Sequence, residues 1–582
     1  MAKTPLEVSG ELGGDALATY VATTWIDYNA QRQPVMDAWK ELRNYVFATD
    51  TTTTTNKKLP WKNSTTLPKL CQIRDNLHSN YISALFPNDD WLRWEGYTKE
   101  AAHKEKAAAI QSYMSNKVRE SHFRIGISRL VYDYIDYGNC FATVEYESSF
   151  ADDATGTRNI NYIGPKLVRI SPLDIVFNPL AESFKDSFKI VRSMRSLGAL
   201  KSMLKQDPNN ERLKNIMAMR EKLTSHAGQG HLDVLDKSEA FMVDGYGTYS
   251  AYLQSGYVEF LDFYGDFYDV TTGTLLENVH ATVVDRMWTV HEEPFDSWLG
   301  HAGIYHVGWR LRPDSLWAMG PLENLVGMQY RIDHLENLKA DAMDLSVMPP
   351  LKIKGDVEQF VWGPGAEIHL DENGDVEELG KNSQWVIQAD NSIAILEQKM
   401  EQYAGAPREA MGIRTPGEKT MFEVQSLQNA AGRIFQEKVS IFEIEFLECV
   451  LNAMLEIATR KLDRQDVIRV LDTSLGITTF DSITKEDITA SGILRPIGAR
   501  HFAAQAQMMQ NLSSLANTPM WMQIAPHISA INLASLVEDI LGLSRFSVFK
   551  PNVAVFEQQE TARLQKQAAE DLQVEDGTPV DQ

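Results

Sequence analysis

Between Gly412 and Thr420 the chain reads GIRTPGEKT, one residue away from the loop that cradles nucleotide phosphates, in which a glycine is followed directly by lysine and then serine or threonine. That loop works because consecutive backbone N–H groups curl around phosphate oxygens, and because a buried strand before it holds the turn open. Here Glu418 is inserted between Gly417 and Lys419, Pro416 removes an N–H, and the preceding LEQKMEQYAG has a helical pattern. No nucleotide site is expected. The histidines, among them His78, His280, His291, His301, His306 and His501, fall neither into H-E-x-x-H nor into the Cys/His spacing of zinc sites. G-x-S-x-G is absent, and the acidic turn from Asp371 to Asp375 lacks the further ligands and terminal glutamate of a calcium loop. The pairs Asp89-Asp90 and Glu377-Glu378 read as solvated turns. Cys71, Cys140 and Cys449 lie far apart in apolar settings, which suits buried thiols better than a disulfide framework or a zinc cluster. Neither an enzyme, a cofactor nor a metal follows from these residues.

What the chain does concentrate is charge on a broken loop. Residues 405–420, GAPREAMGIRTPGEKT, carry Arg408, Glu409, Arg414, Glu418 and Lys419 among three glycines and two prolines, so the segment cannot continue a helix and presents its charges to solvent or a partner. Two periodic segments flank it. Before it, Asn391 to Tyr403 reads as a helix. After it, Phe435, Val439, Phe442, Phe446, Val450, Ala453 and Ile457 recur in steps of four and three, with no proline before Asp463. About forty helical residues would span roughly 60 Å. A second apolar row, Ile434, Ile441, Ile444, Leu447, Leu451, Leu455 and Ala458, makes the sector wider than a two-stranded seam, and Gly432 is its weak point.

Further out, the chain of 582 residues has 43% hydrophobic and 23% charged residues and reads as a multi-domain globular protein. No apolar run reaches the roughly 18 residues of a membrane span, and the N-terminus has no apolar targeting segment. A net charge of −23 argues against a broad basic face gripping nucleic acid. Ala16 to Phe47 reads as helical with Trp25, Tyr28, Trp39 and Tyr45 as core, residues 49–58 as an exposed loop, and Leu67 to Phe86 as a helix. Trp91 and Trp94 read as packing residues. Lys99 to Tyr137 reads as helical until Gly138 switches the chain into the strand CFATVEYE. Strand-like segments follow, interrupted by a polar helical insert from Leu197 to Leu223. From Pro313 the pattern turns helical, with Leu322, Leu325, Met328, Ile332, Leu335, Leu338 and Ala342 in period until Pro349 and Pro350. Residues 349–379 read as a small β-unit with turns at Gly355, Gly363 to Gly365 and Asn373-Gly374. The fold class is α+β.

The order helix, small β-unit, helix, charged loop, long helix resembles the portal, or head-to-tail connector, proteins of tailed bacteriophages, particularly the podovirus-like ones. The resemblance is carried by WKNSTTLPKLCQIRDNLHSNYISALFP, YDYIDYGNCFATVEYE, VRISPLDIVFNP, GPLENLVGMQYRIDHLENLKADA with its two-proline stop, and RTPGEKTMFEVQSLQNAAGRIFQEKVSIFEIEFLECVLNAMLE. It covers roughly residues 15 to 510, and the RTPGEKT junction is its most specific part. It implies a ring, usually of twelve subunits, at one capsid vertex of the virion, assembled in the host cytoplasm, through which a separate terminase packages double-stranded DNA and through which that DNA is ejected. By the same resemblance residues 1–315 are the wing, 316–347 and 391–405 the stem helices, 348–390 the clip, 406–420 the channel loop, 421–462 the long wing helix, and 463–582 the crown and C-terminal tail. The chain departs from the family at the C-terminus, where no long continuous coiled helix is read.

The implied partners are further copies of the chain, terminase, tail adaptor proteins, and major capsid and scaffolding proteins, with no membrane. In the clip, Lys352, Lys354, Asp356 and Glu358 are the candidate docking residues, since strand alternation puts both lysines on one face beside an open edge. Arg408, Arg414 and Lys419 are the candidate DNA contacts, with Glu409 and Glu418 interleaved so that no band of charge holds phosphate tightly. A ring would let the second row of the long helix pack on a neighbour, and the acidic chain suits a conduit that repels DNA. The alternative is a phage tail or capsid structural protein without a channel.

Overall fold

Trp25 and Trp39 sit on two helices rather than one: α1 (Ala16–Gln31) and α2 (Gln33–Val46) part at Arg32, where Pro34, in the first turn of α2, has no N–H to give back. The Arg32 guanidinium is buried at this joint and donates to the carbonyl oxygens of Pro172 (3.0 Å), Leu173 (2.5 Å) and Ile175 (2.6 Å); burial lowers its pKa to about 9. The computed structural model describes residues 16–47, 63, 65–87, 91–97, 104–152, 158–206, 208, 210–225, 257–269, 273–284, 286, 288–295, 303–347, 351–354, 375–378, 384–404, 434–462, 465–472, 477–489 and 491–496. It is a mixed helix and sheet structure, as the α+β reading expects. Among the described residues, one compact unit holds 16–83, 92–466 and 483–496, and a second holds 84–91 and 467–482.

Helix α3 (Lys69–Leu85) precedes strand β1 (Leu92–Gly96), and the expected helix from Lys99 is two, α4 (Lys104–Glu120) and α5 (Phe123–Asp136), broken where His122 takes a left-handed φ of 54°. Gly138, at φ 67°, turns α5 into β2 (Asn139–Asp152). A Cβ there would lie 2.3 Å from the Gly320 nitrogen, so the switch requires glycine.

The chain then runs through β3 (Arg158–Ile170), β4 (Ile175–Phe177), β5 (Lys189–Ser196), α6 (Leu197–Gln206), α7 (Glu211–Ser225), β6 (Tyr257–Asp269), β7 (Thr274–Val284) and β8 (Trp288–Pro294). β4-β5-β6-β7-β8 form an antiparallel sheet in that order. Its strands are apolar on both faces because both are covered. Leu17, Val21 and Trp25 of α1 pack on Leu261, Phe263, Ala281 and Val283, while Leu200, Leu213 and Ile216 of α6 and α7 pack on Val258, Phe260 and Val284. Each fully buried large side chain contributes about 1.5–3 kcal/mol.

A second sheet, in the order β3-β2-β9, includes β9 (Ile304–Gly308), and a hairpin of β10 (Arg310–Arg312) and β11 (Ser315–Met319) follows. The helical reading from Pro313 is therefore corrected. Pro313 and Asp314 are the two-residue turn of a hairpin in which Arg312 pairs with Ser315, and the helix, α8 (Val326–Val347), begins only after Gly320 and Pro321. β12 (Leu351–Lys354), β13 (Asp375–Glu378) and α9 (Gln384–Tyr403) come next. The long helix, α10, is described over 434–461; Gly432 lies outside the described residues. Phe442–Leu447 winds as π-helix, and the second apolar row divides around it. Ile434 and, within the π-turn, Ile444 are exposed while Leu447, Leu451, Leu455 and Ala458 are buried.

β14 (Gln465–Asp472) and β15 (Ile477–Thr484) form a hairpin, and after the short α11 (Lys485–Ile488) strand β16 (Gly492–Pro496) pairs with β1. Asn452 of α10 completes β16 by accepting from the Leu494 N–H (2.8 Å) and donating to its carbonyl (3.0 Å). Trp94, opposite Leu494, is buried, as is Trp91 against Phe86, so both tryptophans are packing residues. Among the described residues no helix is long and apolar enough to cross a membrane.

Candidate functional site

Helix α8 buries a polar row beside its apolar one, in which Ile332 is wholly buried. Leu338, Met343, Tyr330 and Val347 are exposed, whereas Gln329, Asp333, Asn337 and Asp341, spaced four apart, are buried. The reason is a segment of chain laid along the helix. The amides of Asn63, Thr65 and Leu67 donate to Asp341 (2.9 Å), Asn337 (2.7 Å) and Asp333 (2.9 Å), and the Leu70 amide to Gln329 (3.2 Å). Gln329 also donates to the Leu67 carbonyl at 2.6 Å. The geometry is commensurate: four helical residues rise about 6.0 Å and two extended residues about 6.6 Å, so alternate amides meet successive turns. Burial raises the Asp333 pKa, with the Leu67 amide and Gln329 pulling it back.

Helix α9 packs on α8 with opposite direction, since Lys339 pairs with Asp390 (3.0 Å) near one end and Lys69, next to the Gln329 rung, makes a buried ion pair with Glu401 (2.7 Å) near the other. Ile387, Ile395 and Tyr403 on α9 are exposed. The helices lead into the β12–β13 pair, in which Lys352 stands opposite Glu377 and Lys354 opposite Asp375. Alternation does put both lysines on one strand face, but that face is internally matched. Lys352 Nζ lies 3.3 Å from Glu377 Oε2 with both side chains solvated, a pair worth about 0.2–1 kcal/mol. Glu377 and Glu378 are thus strand residues, not a turn. Leu351 and Ile353 occupy the other face of β12, where Ile353 is exposed.

Asp356 and Glu358, with the turns at Gly355, Gly363 to Gly365 and Asn373-Gly374, lie outside the described residues. So do Arg408, Glu409, Arg414, Glu418 and Lys419, together with the loop at 49–58, Asp89-Asp90, His301 and His501. The described ends of that charged segment are Ala404, buried behind α9, and Ile434 at the start of α10.

Other candidates resolve into packing. His78 stacks on Tyr132 at 3.7 Å and hydrogen-bonds Ser128, and His306 is buried against Phe141. Cys140 is buried and its thiol pushed well up by burial, while Cys71 and Cys449 are half-buried. One constellation was not legible: His280, His291 and Glu293 converge on one sheet face. Their signal, a His-x-Glu strand and a histidine eleven residues upstream, matches no metal-site spacing rule. No family model matches the sequence, and no curated protein matches it.

Proposed function

We propose that the chain is a portal-type subunit, one of about twelve forming a ring at a capsid vertex through which terminase packages DNA and through which DNA is ejected. In this reading α8 and α9 are the stem, the β12–β13 unit is the clip that meets terminase and later the tail adaptor, residues 406–420 are the channel loop, and α10 is the long wing helix. In this reading the protein is not an enzyme and needs no cofactor for its channel role.

The observation that carries the proposal is the set of apolar side chains left exposed on the packed pair α8 and α9. In this reading the exposed Tyr330, Leu338, Met343 and Val347 of α8 and Ile387, Ile395 and Tyr403 of α9 meet neighbouring subunits. Exposed apolar residues on this scale mark contact surfaces, and a heterologous contact repeated by rotation closes a ring. The test is native mass spectrometry with particle imaging of the purified protein. Closed rings with a central hole are expected; monomers and dimers alone would overturn the reading.

A further inference from the structure

Antiparallel register on the five-stranded sheet sets His280 of β7 opposite Glu293 of edge strand β8, and His291 two residues before Glu293 on the same side. Simple alternation would not bring them together. Val283 pairs with Thr289 but Thr282 with His291, so Val290 is an extra residue in β8. Such a bulge re-aims every side chain beyond it. Without it His291 would stand opposite Ala281, on the face α1 covers, and Glu292 rather than Glu293 would face His280.

The result is three ligand-type side chains at coordinating distance. His280 Nδ1 is 3.5 Å from Glu293 Oε1, His291 Nε2 is 3.4 Å from Glu293 Oε2, and one ligand atom from each residue lies within 4.8 Å of the others. Donors held about 2.0–2.1 Å from a tetrahedral zinc stand about 3.3 Å from one another. Each histidine–carboxylate distance is close to that value, but to a different oxygen of Glu293, so the carboxylate turns and the imidazoles close on each other when an ion is bound. The His280 ring is stacked on Tyr264 (4.4 Å, 11°), while His291 and Glu293 are 52% and 54% exposed and leave the site open to solvent.

We propose that His280, His291 and Glu293 bind a divalent transition metal, zinc by preference, through His280 Nδ1, His291 Nε2 and the Glu293 carboxylate, with water in the remaining position. Two imidazoles and one carboxylate select zinc, nickel or copper over magnesium and calcium, which take oxygen ligands. The surrounding charge favours a cation, since Glu145 and Asp262 act on the same spot and Arg195, 3.9 Å from Asp262, only partly opposes them. Binding through Nδ1 places the His280 proton on Nε2, which is buried without a hydrogen-bond partner. That makes the site weaker than closed zinc sites whose histidines donate to a second acceptor. The bound metal clasps the edge strand to its neighbour, and this role is independent of any ring.

The experiment titrates the full-length protein with Zn2+ by calorimetry and with Co2+ by visible absorption, at neutral pH. One saturable site per chain is expected, with cobalt d–d bands and a melting temperature that rises with Zn2+. His291→Ala and Glu293→Gln, both at exposed positions, should each weaken binding at least about tenfold. His334→Ala, at a histidine stacked on Tyr330, should not. Absence of a saturable site, unchanged affinity in both site variants, or an equal loss in His334→Ala would overturn the proposal.

Discussion

His306 is wholly buried between the rings of Phe141 (4.6 Å) and Phe184 (4.8 Å), with Nε2 3.1 Å from Asn139 Oδ1, and burial pushes its pKa down to about 3. In the unfolded chain an imidazole titrates near 6.5. The unfolded state therefore takes up a proton that the folded state refuses. The stability this histidine contributes is fully present above about pH 6.5 and is lost as pH falls toward 3, at about 1.4 kcal/mol per pH unit. His306→Gln keeps an amide donor for Asn139 but does not titrate. Between pH 7 and 5 the wild type should lose about 2 kcal/mol more than this variant in urea denaturation. Equal losses would mean that His306 is not held neutral by the fold.

Among the elements, the segment 63–70 and helix α8 form one unit, because each supplies what the other lacks. The segment has unpaired amides, and the helix has buried side-chain oxygens that would otherwise lose their hydration. Asn337→Leu removes the acceptor of the Thr65 amide in a part-buried hydrogen bond, a cost of about 0.5–1.5 kcal/mol. Hydrogen exchange of the peptide spanning Asn63 to Leu70 should accelerate by up to about tenfold, while amides of β6, in a separate hydrogen-bonded sheet, keep their protection. Unchanged exchange at Thr65 would show that the ladder does not hold the segment.

Taken whole, a chain of net charge −23 repels DNA phosphates, so in the proposed ring only a few cations can touch the passing duplex. Arg414→Ala with Lys419→Ala should leave rings intact and lower DNA packaging or retention. The salt dependence of DNA association should fall by about one unit of slope for each phosphate that is no longer neutralised. Failure of ring closure, or packaging indistinguishable from wild type, would count against the channel role of these two residues.

Features that depend on neighbours along the chain were readable from the residues alone. Helical periods located α3, α8, α9 and α10, β-branched and aromatic runs located β2 to β8, and Gly138 marked a switch that its φ of 67° requires. The tryptophans were legible as core for the same reason: bulk and apolarity are carried by the residue. Features that depend on pairs distant in sequence emerged only once the chain was folded. The polar face of α8 is buried because a segment some 270 residues earlier supplies its amides. His280, His291 and Glu293 meet because one extra residue at Val290 turns a strand over, and a periodic reading of β8 places those side chains on the wrong faces.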